Sequence, residues 1–184
     1  MNTTFFYQTL QKKVKKNPSL KPLLTQLDAE IPIIVDLLKH TDWVFRHYSS
    51  HKEDHSKNIL NNIYDLLGED KIQSMTSCDI WLLIEAAYCH DIGMCVSFDE
   101  LKSELKKTHF GKYLDKVKAN KYHELNPFVS ALTADDISKL LNSPSELIEL
   151  NNLFYQLLAD WFRPFHGYRS ETMIKDVKFG ACLF

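Results

Sequence analysis

A chain of 184 residues with 45% hydrophobic and 25% charged side chains can bury one substantial core. Five glycines and six prolines are too few for a loop-rich or all-β protein, and a net charge of −2 predicts no general affinity for nucleic acid or anionic membrane. No N-terminal apolar run fits a signal peptide and no stretch reaches the length of a membrane span, so the expected compartment is the cytoplasm.

The elements read in order as helices. Residues 3–16 place Phe5, Phe6, Leu10 and Val14 on one side and Lys12, Lys13, Lys15 and Lys16 on the other, an amphipathic helix ending at Asn17-Pro18. The lysines read as a solvated face rather than a phosphate grip. Pro22 and Pro32 each suit a first helical position, which predicts a short helix from about 22 to 30 and a longer one from about 32 to 48. Ile33, Ile34, Leu37 and Leu38 would be the buried face of the second. His47, His51 and His55 stand four apart, but Ser49-Ser50 between them predicts a break rather than one shared helical face. His55 then opens a helix whose positions 59, 60, 63, 66 and 67 are apolar and which stops at Gly68.

The next helix carries the chemistry. Ile80, Leu83, Ile84 and Ala87 fall at i, i+3, i+4 and i+7, and Asp79 suits the positive end of the helix dipole. Still in register, His90 and Asp91 arrive together, and Gly93 follows as a stop. A titratable pair at the end of an apolar helix is costly to bury without a partner. A metal ion is one such partner; a satisfied half-buried histidine is the plainer reading of the dipeptide alone. Cys78, Cys89, Cys95 and Cys182 show no CxxC spacing and read as small core residues rather than zinc ligands.

Residues 96–132 read as an insertion. Ser97-x-x-Glu100 caps a charged helix through about Lys107, after which His109, Tyr113, Tyr122 and His123 show no firm period. His109 and His123 are expected at the surface, with a second-metal role as the alternative. Thr133-x-x-Asp136 caps a short helix ending near Leu141-Asn142. Ser143-Pro144-Ser145-Glu146 is a stronger cap, opening a helix with Ile148, Leu153, Phe154, Leu157, Leu158, Trp161 and Phe162. Arg163, His166 and Arg169 follow its end. They read either as a solvated terminus, where cations are favoured, or as a third imidazole flanked by phosphate-binding guanidiniums. No strand pattern appears, so the expected fold is an all-α bundle of about seven to nine helices.

Three segments together resemble one family. They are His55-Ser56-x-x-Ile59-Leu60 opening a helix, Ala86-Ala87-x-x-His90-Asp91-Ile92-Gly93 ending one, and Arg163-x-x-His166-x-x-Arg169-Ser170. The combination resembles the HD superfamily of metal-dependent phosphohydrolases from about residue 40 onward. It is most similar to the HD-type domains at the front of bacterial conflict-system proteins, often ahead of a chaperone-like ATPase module. The resemblance implies a single HD-like domain over residues 1–184, with 1–40 as N-terminal helices. It implies a divalent metal (Mn, Mg, Fe, Zn and Ni are not distinguished) held by His55, His90 and Asp91, with His166 at or beside it and Asp91 as the bridging ligand. The reaction implied is hydrolysis of a phosphoester, often in a nucleotide, with Asp91 at the reacting centre and Arg163 and Arg169 neutralising substrate phosphate. A partner ATPase domain or a homo-oligomer is implied as context.

Two features depart from the family pattern. The family's set is completed by a later aspartate on an Arg-x-x-Asp helix; Asp160 lies upstream, and Asp176 is the only later aspartate and lacks that setting. The C-terminal part of the family domain is therefore expected to be missing. Met94 stands where some HD phosphodiesterases carry a lysine, which argues against the cyclic-dinucleotide branch. The competing expectations are a phosphohydrolase, a catalytically incomplete module that binds a nucleotide or partner protein in a regulatory or defence role, and a helical interaction domain with no site.

Overall fold

The computed structural model describes residues 4–45, 53–133, 136 and 148–175, and the regular structure among them is helical throughout. Eight α-helices there run eight residues or more, and no strand occurs among the described residues. Among the described residues no single helix is long and apolar enough to cross a membrane. The chain divides into two compact units: residues 1–42, 49–95 and 165–184 form the first, and 43–48 with 96–164 the second.

The first unit is arranged around one buried helix. Helix α1 (Phe5–Lys16) is capped by Thr4, whose hydroxyl accepts from the Tyr7 N–H, and it buries Phe6 and Leu10. Helix α2 spans Lys21–Leu38, α3 Glu53–Leu67, α4 Glu69–Ser74 and α5 Ser77–Cys89. Helices α1, α2 and α3 all pack on α5. Their shared core includes Phe6, Leu10, Leu27, Ile34, Leu60, Ile72, Ile80, Ile84 and Tyr88, each fully buried. Such side chains contribute about 1.5–3 kcal/mol apiece by leaving water.

The two helices expected around Pro32 are one. Helix α2 runs unbroken through Pro32. Leu27, Ile31, Ile34 and Leu38 lie at i, i+4, i+7 and i+11 and are all buried, so the apolar stripe continues across the proline. Packing of that stripe outweighs the one hydrogen bond the proline removes. A 3₁₀ turn (Lys39–Trp43) then takes the place of the helix expected to reach residue 48. Residues 46–52, with His47 and His51, lie outside the described residues. In α3, Leu60 is buried, and Ile59, Ile63 and Leu67 pack against the core, but Leu66 is 83% exposed. It faces away from the stripe that the other four share. Gly68 ends α3 at φ +78°, a left-handed value that favours glycine.

Helix α5 begins with a capping box that the apolar periodicity alone does not reveal. The Thr76 hydroxyl accepts from the Asp79 N–H at 3.1 Å, and the Asp79 carboxylate accepts from the Thr76 N–H at 3.1 Å. The Thr76 hydroxyl also donates to the Asp79 carboxylate at 2.7 Å, and this bond, followed by the one from the Thr76 N–H, holds the Asp79 carboxyl below its usual range.

The second unit contains helix α6 (Phe98–Leu105), α7 (Thr108–Ala119), α8 (Asn126–Ala131) and α9 (Ile148–Phe162). Ser97 caps α6 as expected, accepting from the Glu100 N–H at 3.1 Å. Helix α7 lies where no period was expected; it buries only Phe110 and Val117, seven residues apart, so its apolar stripe is thin. Phe110, Tyr113 and Trp161 form an aromatic cluster with centroids 5.1–5.9 Å apart. Tyr113 donates to the Asp160 carboxylate at 2.7 Å. Thr133 and Asp136 exchange capping hydrogen bonds as expected. The rest of that helix and the cap at Ser143–Glu146 lie outside the described residues.

Candidate metal centre

Helix α5 delivers its last polar residues to the edge of the first unit's core. Its apolar face buries Ile80, Ile84, Ala87 and Tyr88 and fixes the phase of the helix. That phase sets His90 half-buried at the C-cap and leaves the Asp91 side chain only 5% exposed. Helix α3 brings in His55 from its first turn, two residues after Glu53.

The three side chains converge. Asp91 Oδ2 lies 2.8 Å from His90 Nε2 and 3.4 Å from His55 Nε2, and the two imidazole centroids are 5.3 Å apart. One donor atom from each of His55, His90 and Asp91 lies within 4.8 Å of the other two. Ligands held at about 2.0–2.2 Å from one ion stand roughly 3–4 Å apart, so little closure is needed. Among the described residues this is the one group of three or more His, Cys, Asp or Glu with such spacing. The alternative second-metal role for His109 and His123 has no counterpart there. His109 is exposed, and the His123 ring, in the second unit, accepts from the Leu125 N–H at 3.2 Å while its Nε2 faces Asp160 at 3.5 Å.

The donor chemistry fits a divalent cation. A carboxylate this deeply buried needs compensating charge. Two imidazoles and one carboxylate are ligands for several first-row metals. The His90 ring is held in a ligating orientation. Its Nδ1–H donates to the Ala87 carbonyl at 3.1 Å, which turns Nε2 toward Asp91. The hydrogen bond and charge of Asp91 raise the His90 pKa, against an opposing effect of burial.

A 3₁₀ turn (Ile92–Met94) follows Asp91, and helix α10 (His166–Lys175) packs against it. No helix was expected after Pro164, yet α10 places His166 Nε2 4.0 Å from Asp91 Oδ1, the oxygen opposite the one shared by His55 and His90. Arg169 donates through Nε to the Gly93 carbonyl at 2.6 Å and through Nη2 to the Cys95 carbonyl at 2.8 Å. Thus the first unit brings together His55, His90, Asp91 and His166 and engages Arg169 on its own backbone. Arg163 is exposed and belongs to the second unit. Asp176 lies outside the described residues.

The cysteines near the site behave as core residues. Burial pushes the Cys89 and Cys95 thiols up to about 12, so neither offers a thiolate near neutral pH.

A His/Asp pair at the end of a buried helix, met by a histidine from an earlier helix, is the arrangement that the resemblance to the HD superfamily implies. A family model agrees: the HD-CE model matches residues 45–181, well over half of the chain. The chain belongs to the HD-CE family. Among curated proteins and among solved structures nothing matches it.

Proposed function

We propose that this domain is a metal-dependent phosphohydrolase acting on a nucleotide or related phosphoester. The observation that carries the reading is the convergence of His55, His90 and Asp91 on one point, with His166 on the far oxygen of the same carboxylate. A bound divalent cation would supply an acidified water and a positive charge against phosphoryl oxygens. His55 Nε2, His90 Nε2 and Asp91 Oδ2 would hold it. Asp91 directs Oδ2 toward His55 and His90 and Oδ1 toward His166, so its carboxylate would serve both sides of the site. The Ala87 carbonyl keeps the His90 ring in place and its Nε2 lone pair aimed at the site. Arg163 is proposed to meet substrate phosphate; a cytoplasmic setting and a partner ATPase domain or second copy remain part of the proposal.

The test is metal content together with turnover. Purified protein is expected to take up manganese and to hydrolyse phosphomonoesters or phosphodiesters from a nucleotide panel, and Asp91→Ala to lose both. No metal uptake, or equal turnover in Asp91→Ala, refutes the reading.

One observation favours the second reading, a catalytically incomplete module. Among the described residues no additional carboxylate joins His55, His90 and Asp91. Stoichiometric nucleotide binding without turnover, in protein that does hold metal, would decide for it.

A further inference from the structure

The geometry points to Arg169 and Ser170 as positioning residues that lock the backbone carrying Asp91, and it removes Arg169 from the role of phosphate contact. The inference rests on the metal-site reading above and assigns a new role within the same site.

After α5 ends, residues 90–95 must turn sharply to present Asp91, and a turn of this kind leaves main-chain donors and acceptors without helical partners. Two adjacent residues of α10 take up four of them. The Ser170 hydroxyl donates to the His90 carbonyl at 2.7 Å and accepts from the Gly93 N–H at 2.9 Å. Arg169 donates to the Gly93 carbonyl at 2.6 Å and the Cys95 carbonyl at 2.8 Å. Asp91 lies between the first and second of these anchor points. The guanidinium is planar and presents its donors in a rigid fork, so it spans two carbonyls in a way that an ammonium group does not.

The turn and α10 pack too closely for a side chain at Gly93. A Cβ on Gly93 would lie 2.1 Å from the His166 carbonyl oxygen and 2.5 Å from the Ser170 nitrogen. His166 stands four residues before Ser170 on α10, on the same face of the helix. The grip that fixes Asp91 therefore also fixes His166 relative to it. Ser170 is 4% exposed, so its hydrogen bonds are shielded from competing water.

The experiment compares wild type with Ser170→Ala, Arg169→Ala and Arg169→Lys in the full chain. Three quantities are read: exchange of the Gly93 amide in metal-free protein, affinity for Mn²⁺ by calorimetry, and affinity of the Mn²⁺-loaded protein for inorganic phosphate. Ser170→Ala is expected to speed Gly93 exchange. All three variants are expected to bind Mn²⁺ about 10- to 100-fold more weakly, the range found when groups orienting metal ligands are removed. Lysine at 169 is expected not to rescue. If Arg169→Ala and Arg169→Lys bind Mn²⁺ as wild type does but lose phosphate affinity, Arg169 is a substrate contact and the inference fails. It also fails if the variants lower the melting temperature and leave Mn²⁺ affinity intact. If an Arg169 variant does not fold, Ser170→Ala, which deletes one hydroxyl, carries the same comparison. Failure of wild type to bind Mn²⁺ would refute the metal-site reading, with the amide exchange still reporting whether the clamp exists.

Discussion

Deprotonation of Glu85 should weaken the first unit as pH rises. Glu85 on α5 faces Glu30 on α2, which is 2% exposed, and Cys89 lies 3.8 Å away, its Sγ donating to Glu85 Oε2. Neither Glu30 Oε1 nor Glu85 Oε1 finds a hydrogen-bond partner. Burial, and after it the charge of Glu30, push the Glu85 carboxyl from 4.5 up to about 8. An acid whose folded pKa lies above its unfolded one holds its proton only in the folded state between those two values. Stability is then full below about 4.5 and is lost as pH rises toward 8. That window of roughly three and a half pH units, at about 1.4 kcal/mol per unit, sets a ceiling of about 5 kcal/mol. Glu85 keeps partial contact with solvent, which reduces the expected loss to roughly 2–3 kcal/mol. Urea unfolding at pH 5, 6, 7, 8 and 9 measures it directly. The variant Glu85→Gln retains the shape without the titration and should flatten most of the decline. Parallel pH dependences for wild type and Glu85→Gln would refute the reasoning.

Asp91→Asn keeps the side-chain volume and removes the charge; it should abolish retention of manganese through gel filtration, measured by elemental analysis. Gly93→Ala should cost about 1–3 kcal/mol in urea unfolding, because its Cβ meets main-chain atoms at 2.1 and 2.5 Å that no rotamer change relieves. Gly111→Ala is the matched contrast: its Cβ meets nothing within 4 Å inside α7, and the substitution should gain about 0.5–1 kcal/mol. Gly68→Ala should cost about 1–2 kcal/mol by the same assay, since φ +78° is a left-handed conformation that the Cβ disfavours.

Local signals were legible where one helix face meets one core. The Ile80, Leu83, Ile84, Ala87 stripe predicted α5; Leu83 is only partly buried, and the helix buries Tyr88 and Cys89 as well, which periodicity alone did not require. The signals failed where tertiary packing overrode them. Pro32 reads as a helix start, but a stripe from Leu27 to Leu38 holds α2 together through it. Helix α10 was hidden because Pro164 and Gly167 look like breakers, whereas the proline precedes the helix and the glycine falls in its first turn. Within the site, His55, His90, Asp91 and His166 were legible from residue type and the family pattern. The role of Arg169 was not: its partners Gly93 and Cys95 are 76 and 74 residues away, and no local pattern shows which carbonyls a guanidinium will face.

The same arrangement explains why a costly carboxylate can stay poised for a cation. The buried Asp91 carboxylate faces the His90 imidazole at 2.8 Å, and that hydrogen bond raises the His90 pKa. A divalent cation held there would offer the same compensation. The His90 ring would need no rotation to meet it, because the bond to the Ala87 carbonyl already turns Nε2 toward Asp91. The main chain of the turn is likewise held in place, by Ser170 and Arg169 on the His90, Gly93 and Cys95 backbone groups. The ordering of ring and loop is met by folding, so binding of an ion there would not have to supply it.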